Sequence, residues 1–176
     1  MKTIFLSGSR HITKLSESVR QRISNMIQHG FDLVIGDADG ADRAMQDYLA
    51  ERAYPNVTVF FAGARCRNNA GQWHTLAIPV DRGLSGREVH VQKDKAMAKR
   101  ADYGLVLWNG KSAGSIANVF ELLRGGKRSV VYYAPEQQFH NIATIDDADR
   151  LLAKCDAGTL ASIRKKAGVV PGRQAA

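Results

Sequence analysis

The chain has 176 residues, of which 44% are hydrophobic, and this is enough for one globular domain with a core of its own. No apolar run approaches the roughly 20 residues of a membrane span, and the amino end turns polar too early for a signal peptide, so we expect a cytoplasmic protein with no membrane partner. Cys66 and Cys155 stand far apart, outside any CxxC or Cys/His pattern, which indicates neither a metal site nor a disulfide framework. The formal net charge of +8 suits a phosphate-bearing partner, either a small nucleotide or a nucleic acid.

Five short apolar or β-rich runs predict strands that are buried on both faces of a parallel sheet. In chain order they cover residues 3–7, 33–35, 57–61, 104–108 and 129–133. Helical patterns lie between most of them, and the first has Ser16 as an N-cap and Gly30 just past its end. This alternation predicts an α/β fold over residues 1–134, a Rossmann-like doubly wound sheet of about five strands in the order 3-2-1-4-5.

Two segments do not fit the alternation. Residues 62–86 lack a sustained period and are basic, and a connection of this length favours a binding lid or loop. After residue 134 a polar link leads to two short amphipathic patterns, around residues 148–153 and 160–166. We therefore expect residues 135–176 to form a short helical extension that packs on the nucleotide-binding domain.

Three loops are expected to meet where the chain changes direction between the first and fourth strands, which is the usual ligand site of such sheets. They are Gly8-Ser9-Arg10, the acidic turn from Gly36 to Asp42, and Asn109 to Ser115 before a helix that opens near Ser115. Glycines let a backbone approach a ligand, helix starts bind anions, and an arginine binds phosphate bidentately. Helix capping by Asp39 or Asp42 would explain the acidic turn equally well.

Several motifs taken in order resemble the SLOG superfamily, which includes the YspA-like proteins, Smf/DprA and the Lonely Guy phosphoribohydrolases. They are Gly8-Ser9-Arg10, the Gly36–Asp42 turn with Arg43-Ala44, Lys93-Asp94 with Met97, Ala101-Asp102, and Gly114-Ser115. The YspA-like branch, with its GSR opening and GxxGAD-type turn, is the most similar, and the resemblance covers roughly residues 1–134. It implies a Rossmann-like sheet that binds a nucleotide at this rim, and it also implies homodimerisation.

The resemblance does not by itself imply catalysis. Lonely Guy enzymes place a glutamate for N-glycosidic chemistry at the helix after the fourth strand, and the matching residue here is Asn118. An amide cannot replace a carboxylate as nucleophile or proton acceptor, and Glu121 lies three residues further on. The arginine of those enzymes corresponds to Lys93, which keeps the charge and loses the planar fork.

Three functions stay open on the sequence. The first is a nucleotide sensor or sequestering module with no required cofactor. Its ligand-binding residues would be Gly8, Ser9, Arg10, Gly36, Asp37, Asp39, Gly40, Asp42, Arg87, Asn109, Gly110, Lys111, Ser112, Gly114, Ser115 and Asn118. The second is a nucleoside or nucleotide N-glycosidase that uses Asp37, Asp42 or Glu121 as its carboxylate. The third is a nucleic-acid-binding protein that uses the basic 62–87 segment, Trp73 as a stacking group, and Arg164-Lys165-Lys166.

Overall fold

The computed structural model describes residues 1–80, 83 and 86–167, without the side chains of Arg87 and Ala167. Within these ranges the strands are β1 Thr3–Gly8, β2 Asp32–Gly36, β3 Val57–Ala62, β4 His74–Ile78, β5 Tyr103–Trp108, β6 Arg128–Tyr133 and β7 Gln138–Ile142. The helices are α1 Glu17–Gln28, α2 Ala41–Glu51, α3 Arg87–Arg100, α4 Ala113–Arg124, α5 Ile145–Leu152 and α6 Ala157–Ala167. None of these helices is long and apolar enough to cross a membrane.

The described strands form one seven-stranded sheet in the order β4-β3-β2-β1-β5-β6-β7, and only β7 runs antiparallel to its neighbour. Its central five strands are those predicted, in the predicted order, which confirms the Rossmann-like α/β fold. The two edge strands were not predicted: β4 lies in the segment expected to be irregular, and β7 lies in the polar link after residue 134. An edge strand buries little of its surface, and both strands carry exposed or half-buried residues at most positions, so neither has an apolar signature.

Alternating residues of β1 point to two different cores, which is why its sequence is apolar throughout. Ile4 and Leu6 pack in a cluster with residues of α1 and α2, whereas Phe5 packs with Met97 of α3 and Leu122 of α4. A third cluster joins β5 and β6 to α4, α5 and α6, and its members Trp108 and Ile163 are completely buried. The helices therefore cover both faces of the sheet, as the continuous apolar runs predicted.

The helix ends follow local capping chemistry. Ser16 caps α1 by accepting a hydrogen bond from the Val19 amide at 3.3 Å, and Gly30 follows the helix with a φ of +68°, both as predicted. The α4 helix begins at Ala113, two residues before the predicted start near Ser115, because the side chain of Ser112 is its N-cap. The start of α4 therefore lies directly after β5, at the carboxyl edge of the sheet.

Candidate functional site

The acidic turn after β2 binds two basic side chains of the protein itself. Both carboxylate oxygens of Asp37 accept hydrogen bonds from Arg67, from Nε at 3.0 Å and Nη2 at 2.9 Å, and Lys93 Nζ lies 3.0 Å from Oδ1. Asp37 is only 1% exposed. Burial alone would raise its pKa, but the hydrogen bonds from Arg67 and the charge of Lys93 outweigh burial and hold the pKa well below its usual range. Asp37 is thus an ionised anchor for two other segments.

Part of the basic 62–87 segment packs onto this turn. Asn68 Nδ2 donates to the Asp37 carbonyl at 2.9 Å and to Asp39 Oδ1 at 3.0 Å, and Gln46 Nε2 donates to the Gly36 carbonyl at 2.8 Å. Trp73 Nε1 donates to the Tyr54 carbonyl at 2.7 Å, and its ring packs against the core. These contacts give Asp39 and Trp73 structural partners in the fold.

Asp42 is buried beside the same lysine. It accepts a hydrogen bond from the Ala38 amide at 3.3 Å, and burial raises its pKa to about 7 although the charge of Lys93 opposes the shift. A Cβ on Gly36 would lie 2.5 Å from Asp42 Oδ2 and 2.9 Å from Lys93 Nζ, so a larger residue would displace these two side chains. The N-cap of α2 is Gly40 and no side chain caps the helix, so helix capping does not explain Asp39 or Asp42.

Close backbone contacts bring the Gly8-Ser9-Arg10 loop against its neighbours. The Ser9 amide donates to the Leu107 carbonyl at 2.8 Å, and the Ala41 amide donates to the Ser9 carbonyl at 3.0 Å. A Cβ on Gly8 would lie 2.6 Å from the Leu107 carbonyl oxygen. Ser9 is completely buried, whereas Arg10 is exposed at the rim. Of these three residues, Arg10 is the one whose side chain is available to a ligand.

Gly40→Ala should be markedly more destabilising than Gly30→Ala, because only the first substitution adds a collision. Both glycines have positive φ, +82° and +68°, which costs a residue with a Cβ about 1–2 kcal/mol in the left-handed helical region, and the ψ of −126° at Gly40 lies outside even that region. A Cβ on Gly40 would also lie 2.3 Å from the Arg10 carbonyl oxygen, whereas one on Gly30 would meet nothing within 4 Å. We expect Gly40→Ala to lose about 1–3 kcal/mol more in urea unfolding. Equal losses in the two variants would show that the contact with Arg10 is loose.

The loop between β5 and α4 is shaped by its own polar side chains. Asn109 Oδ1 accepts hydrogen bonds from the amides of Lys111 at 3.1 Å and Ser112 at 2.9 Å. Ser115 Oγ donates to Ser112 Oγ at 3.0 Å. Gly110 has a φ of +80° and lies against Tyr133. Gly114 and Lys111 are exposed, so the open part of this loop is the first turn of α4.

Helix α3 adds three residues to the site from one face, His90, Lys93 and Asp94, spaced i, i+3 and i+4. Burial raises the pKa of Asp94 to about 6, and Lys93, a hydrogen bond from Asn118 and the charge of Arg10 oppose the shift. Burial and the charges of Lys93, Arg67 and Arg10 lower the pKa of His90. The charge of Arg10 therefore influences both groups.

An open cleft of about 500 Å³ lies between α3 and α4, within the usual size range of small-molecule sites, roughly 300–1,000 Å³. Its lining residues are Val91, Asp94, Lys95, Ala113, Gly114, Ala117, Asn118, Glu121, Arg124 and Lys166. Of the three carboxylates predicted as catalytic, this lining includes Glu121, which pairs with Arg124 at 3.2 Å. Among the residues that the structure describes, no group of three or more His, Cys, Asp or Glu is placed to hold a metal ion.

No family model and no curated protein matches the chain. A solved structure of DNA processing protein A from Helicobacter pylori, a protein that binds single-stranded DNA, is similar with a TM-score of 0.59 and 14% sequence identity. The match covers 93% of this chain and 79% of that chain. The chain shares the fold of this DNA processing protein. At this identity the likeness concerns the fold alone, and it is consistent with the predicted resemblance to Smf/DprA.

The structure brings the predicted loops of this DprA-like fold together and divides their residues into two groups. Gly8, Ser9, Gly36, Asp37, Gly40 and Asp42 pack against protein atoms, as do Asn109, Gly110, Ser112 and Ser115, whereas Arg10, Lys111 and Gly114 are exposed at the rim. Asp39 is exposed but accepts a hydrogen bond from Asn68, and Asn118 is buried and lines the cleft. Arg87 opens α3, but its side chain lies outside the described residues, as does Arg82. His90 and Asp94 were missed as site residues, although their spacing with Met97 on one helical face was the available signal.

Proposed function

We propose that the protein binds a nucleotide or nucleotide derivative in the cleft between α3 and α4, as a sensor or sequestering module. The observation that carries the proposal is that Asp94, Asn118 and the exposed start of α4 line one cleft beside the carboxyl end of β5, with the exposed Arg10 in the loop after the neighbouring strand β1. Ligands of doubly wound sheets bind at this edge, where strand order reverses. Here the reversal lies between β1 and β5.

The cleft offers the two kinds of contact that a nucleotide needs. The first turn of α4 presents the positive end of the helix dipole; Ser112 Oγ caps its Ser115 amide, and a Cβ on Gly114 would meet nothing within 4 Å. Among the described residues the Arg10 guanidinium forms no hydrogen bond or ion pair, so it can bind a phosphate. Asp94 and Asn118 lie deeper in the cleft and can accept hydrogen bonds from ribose hydroxyls or base amino groups.

Thermal-shift screening against mono-, di- and cyclic nucleotides, NAD and ADP-ribose tests this function, because a ligand of the folded state must raise the apparent stability. Each stabilising ligand is then recovered and chromatographed. Intact ligand supports a binding module. Released base would instead support the N-glycosidase, with Glu121 or Asp94 as the carboxylate within the cleft. No stabilisation by any nucleotide would contradict the proposal.

Arg10→Ala should weaken binding of the selected nucleotide about tenfold or more, since a hydrogen bond to a charged group contributes about 1.5–3 kcal/mol. Arg128→Ala is the matched control: it removes an equally exposed arginine at the amino end of β6, away from the rim. Isothermal titration calorimetry of both variants at one salt concentration measures the difference. Equal weakening in the two variants would mean that net charge, rather than Arg10, attracts the ligand.

Single-stranded nucleic acid is a second candidate ligand, and one observation favours it: the protein of similar fold from Helicobacter pylori binds single-stranded DNA. The net charge of +8 and the exposed cations Arg10, Arg65 and Lys111 suit a polyanion. Its test is the salt dependence of oligonucleotide binding. Each phosphate contact makes the logarithm of the binding constant fall more steeply with the logarithm of the salt concentration. A slope of several therefore indicates a nucleic-acid strand, and a slope near one indicates a small ligand.

A further inference from the structure

Asp94 and Asn118 form a hydrogen-bonded pair in the wall of the cleft between α3 and α4. Both residues line the cleft, and the side-chain amide of Asn118 donates a hydrogen bond to the Asp94 carboxylate. Asn118 is only 8% exposed, and Asp94 is half-buried. A buried amide that holds a carboxylate in one orientation leaves the other lone pairs of the carboxylate for further donors.

Ser7 places a buried hydroxyl beneath the same two helices. It is 5% exposed, and in the described part of the chain its Oγ has no hydrogen-bond partner. Side chains alternate along a strand, and Phe5, two residues earlier, packs with Met97 of α3 and Leu122 of α4. The helices that connect parallel strands run opposite to them, so Ser7 faces the turn that precedes Met97 and Leu122 in each helix.

These two turns contain the pair that lines the cleft. Asp94 lies three residues before Met97, and Asn118 lies four residues before Leu122. A carboxylate, an amide and the Ser7 hydroxyl are therefore gathered at one level of the sheet, between α3 and α4. Because a buried polar group without a partner is destabilising, the hydroxyl indicates a place where a further polar group can bind.

The pair suits hydroxyl groups better than it suits a phosphate or an amino group. A carboxylate accepts hydrogen bonds and repels anions, whereas an amide both donates and accepts. A hydroxyl also does both, so two neighbouring hydroxyls can donate to Asp94 and accept from Asn118. An amino group of a base only donates, and it would leave the Asn118 amide without an acceptor.

The position of the pair along α4 relates it to the proposed phosphate position. Asn118 follows Gly114 by four residues, which is about 6 Å along the helix axis. The 5′-phosphate and the 2′,3′-diol of a nucleotide lie on opposite sides of a single ribose, a separation of the same order. Ala113 and Ala117 line this stretch with small side chains, which leave room for the sugar ring.

We propose that Asp94 and Asn118, above Ser7, bind the 2′,3′-diol of the ligand's ribose and make the cleft selective for ribonucleotides over 2′-deoxyribonucleotides. This inference rests on the proposed nucleotide function and names the class of its ligand. Asp94 accepts the hydrogen bond of the 2′-hydroxyl and is the residue that determines sugar specificity. Asn118 orients the Asp94 carboxylate and donates to the diol.

Isothermal titration calorimetry with matched pairs of probes tests the inference. The probes are the 5′-monophosphates of adenosine, guanosine, cytidine and uridine and their four 2′-deoxy counterparts, which lack one hydroxyl. For the base that binds best, the wild-type protein should bind the ribonucleotide about tenfold or more tightly, the effect of one hydrogen bond to a charged group. Asp94→Ala should remove most of this preference. Asp47→Ala, which removes a carboxylate of α2 outside the cleft lining, should retain it.

Asn118→Ala is the second variant, because it removes the hydrogen bond that orients Asp94, and it should also reduce the preference for ribose. Equal affinity of the wild-type protein for both members of every pair would overturn the inference while nucleotide binding stands. A preference retained in both Asp94→Ala and Asn118→Ala, or lost equally in Asp47→Ala, would overturn it in the same way.

Two further outcomes separate the inference from the proposed function. If Asp94→Ala alters the preference among the four bases and leaves the preference for ribose intact, Asp94 binds the base and the inference is wrong. If none of the eight probes binds although another nucleotide of the thermal-shift screen does, the inference alone fails. Absence of binding by every nucleotide in both experiments would overturn the proposed function and this inference together.

Discussion

We expect the Asp37→Ala variant to lose about 3–5 kcal/mol of its free energy of unfolding, the usual cost of breaking a buried ion pair from one side. The carboxylate holds Lys93, whose side chain is 3% exposed, and Arg67, which brings the 66–70 loop onto the turn. Without Asp37 the ammonium of Lys93 stays buried and loses its hydrogen-bonded carboxylate, while burial raises the pKa of its other acidic neighbours, Asp42 and Asp94, to about 7 and about 6. Urea unfolding of the wild-type and variant proteins at pH 7 measures the loss.

Asp47→Ala provides the control for the loss of a negative charge. Asp47 pairs with Arg43 at 2.7 Å, but the two side chains are 47% and 50% exposed, and such i, i+4 pairs contribute about 0.3–0.5 kcal/mol. If Asp37→Ala costs no more than Asp47→Ala, Asp37 is not an anchor, and its carboxylate becomes available for catalysis. A large difference would instead remove Asp37 from the candidate catalytic residues of an N-glycosidase.

The strands could be predicted from the sequence where burial determines the residue types. Each of the five central strands is covered on both faces and therefore reads as a continuous apolar run, and the doubly wound topology then determines which loops meet. Strand β4 could not be predicted in this way, because it pairs with β3 only and its residues are exposed or half-buried. Its position depends on the neighbouring strand β3, which local sequence does not encode.

The sequence predicted which loops follow the central strands at the carboxyl edge of the sheet, but it could not predict which of their residues pair with other segments of the protein. Sequence spacing makes Asp37, Asp39 and Asp42 look alike, yet the structure pairs Asp37 with two cations and buries Asp42 beside one of them. The partners, Arg67 and Lys93, are 30 and 56 residues away from Asp37, so no local pattern could assign them. For the same reason, Asp94 could be assigned to the cleft only after α3 was placed beside α4.

The stability of the protein should contain a component that decreases as the pH rises from about 4 to about 7. Burial raises the pKa of Asp42 to about 7 and that of Asp94 to about 6, above the ordinary value of 3.8. In this window the folded protein retains protons that the unfolded chain has released, so stability is lost as the pH rises through each folded pKa. The slope is at most about 1.4 kcal/mol per pH unit for each carboxyl group. Asp37, whose pKa is lowered, contributes to the pH dependence of stability only below this window, where stability is lost as the pH falls.

The titration of His90 changes the stability in the opposite direction, so a variant is needed to isolate the contribution of Asp42. The lowered pKa of His90 makes stability rise with pH below about 6.5, the ordinary value for histidine. Asp42→Asn leaves His90 in place and substitutes a neutral amide that can still accept the hydrogen bond from the Ala38 amide. Relative to the wild-type protein, this variant should become more stable in urea unfolding as the pH is raised from 4.5 to about 7, by up to about 1.4 kcal/mol per unit, and the difference should level off above that pH.

The matched variant Asp47→Asn changes the same group at a position that is 47% exposed, and it is the control for the loss of one carboxylate. If the difference in the free energy of unfolding between Asp42→Asn and the wild-type protein is constant over this range, Asp42 is ionised throughout and shares the charge of Lys93 with Asp37. A difference that grows with pH would mean that Lys93 is balanced by Asp37 alone over most of the window.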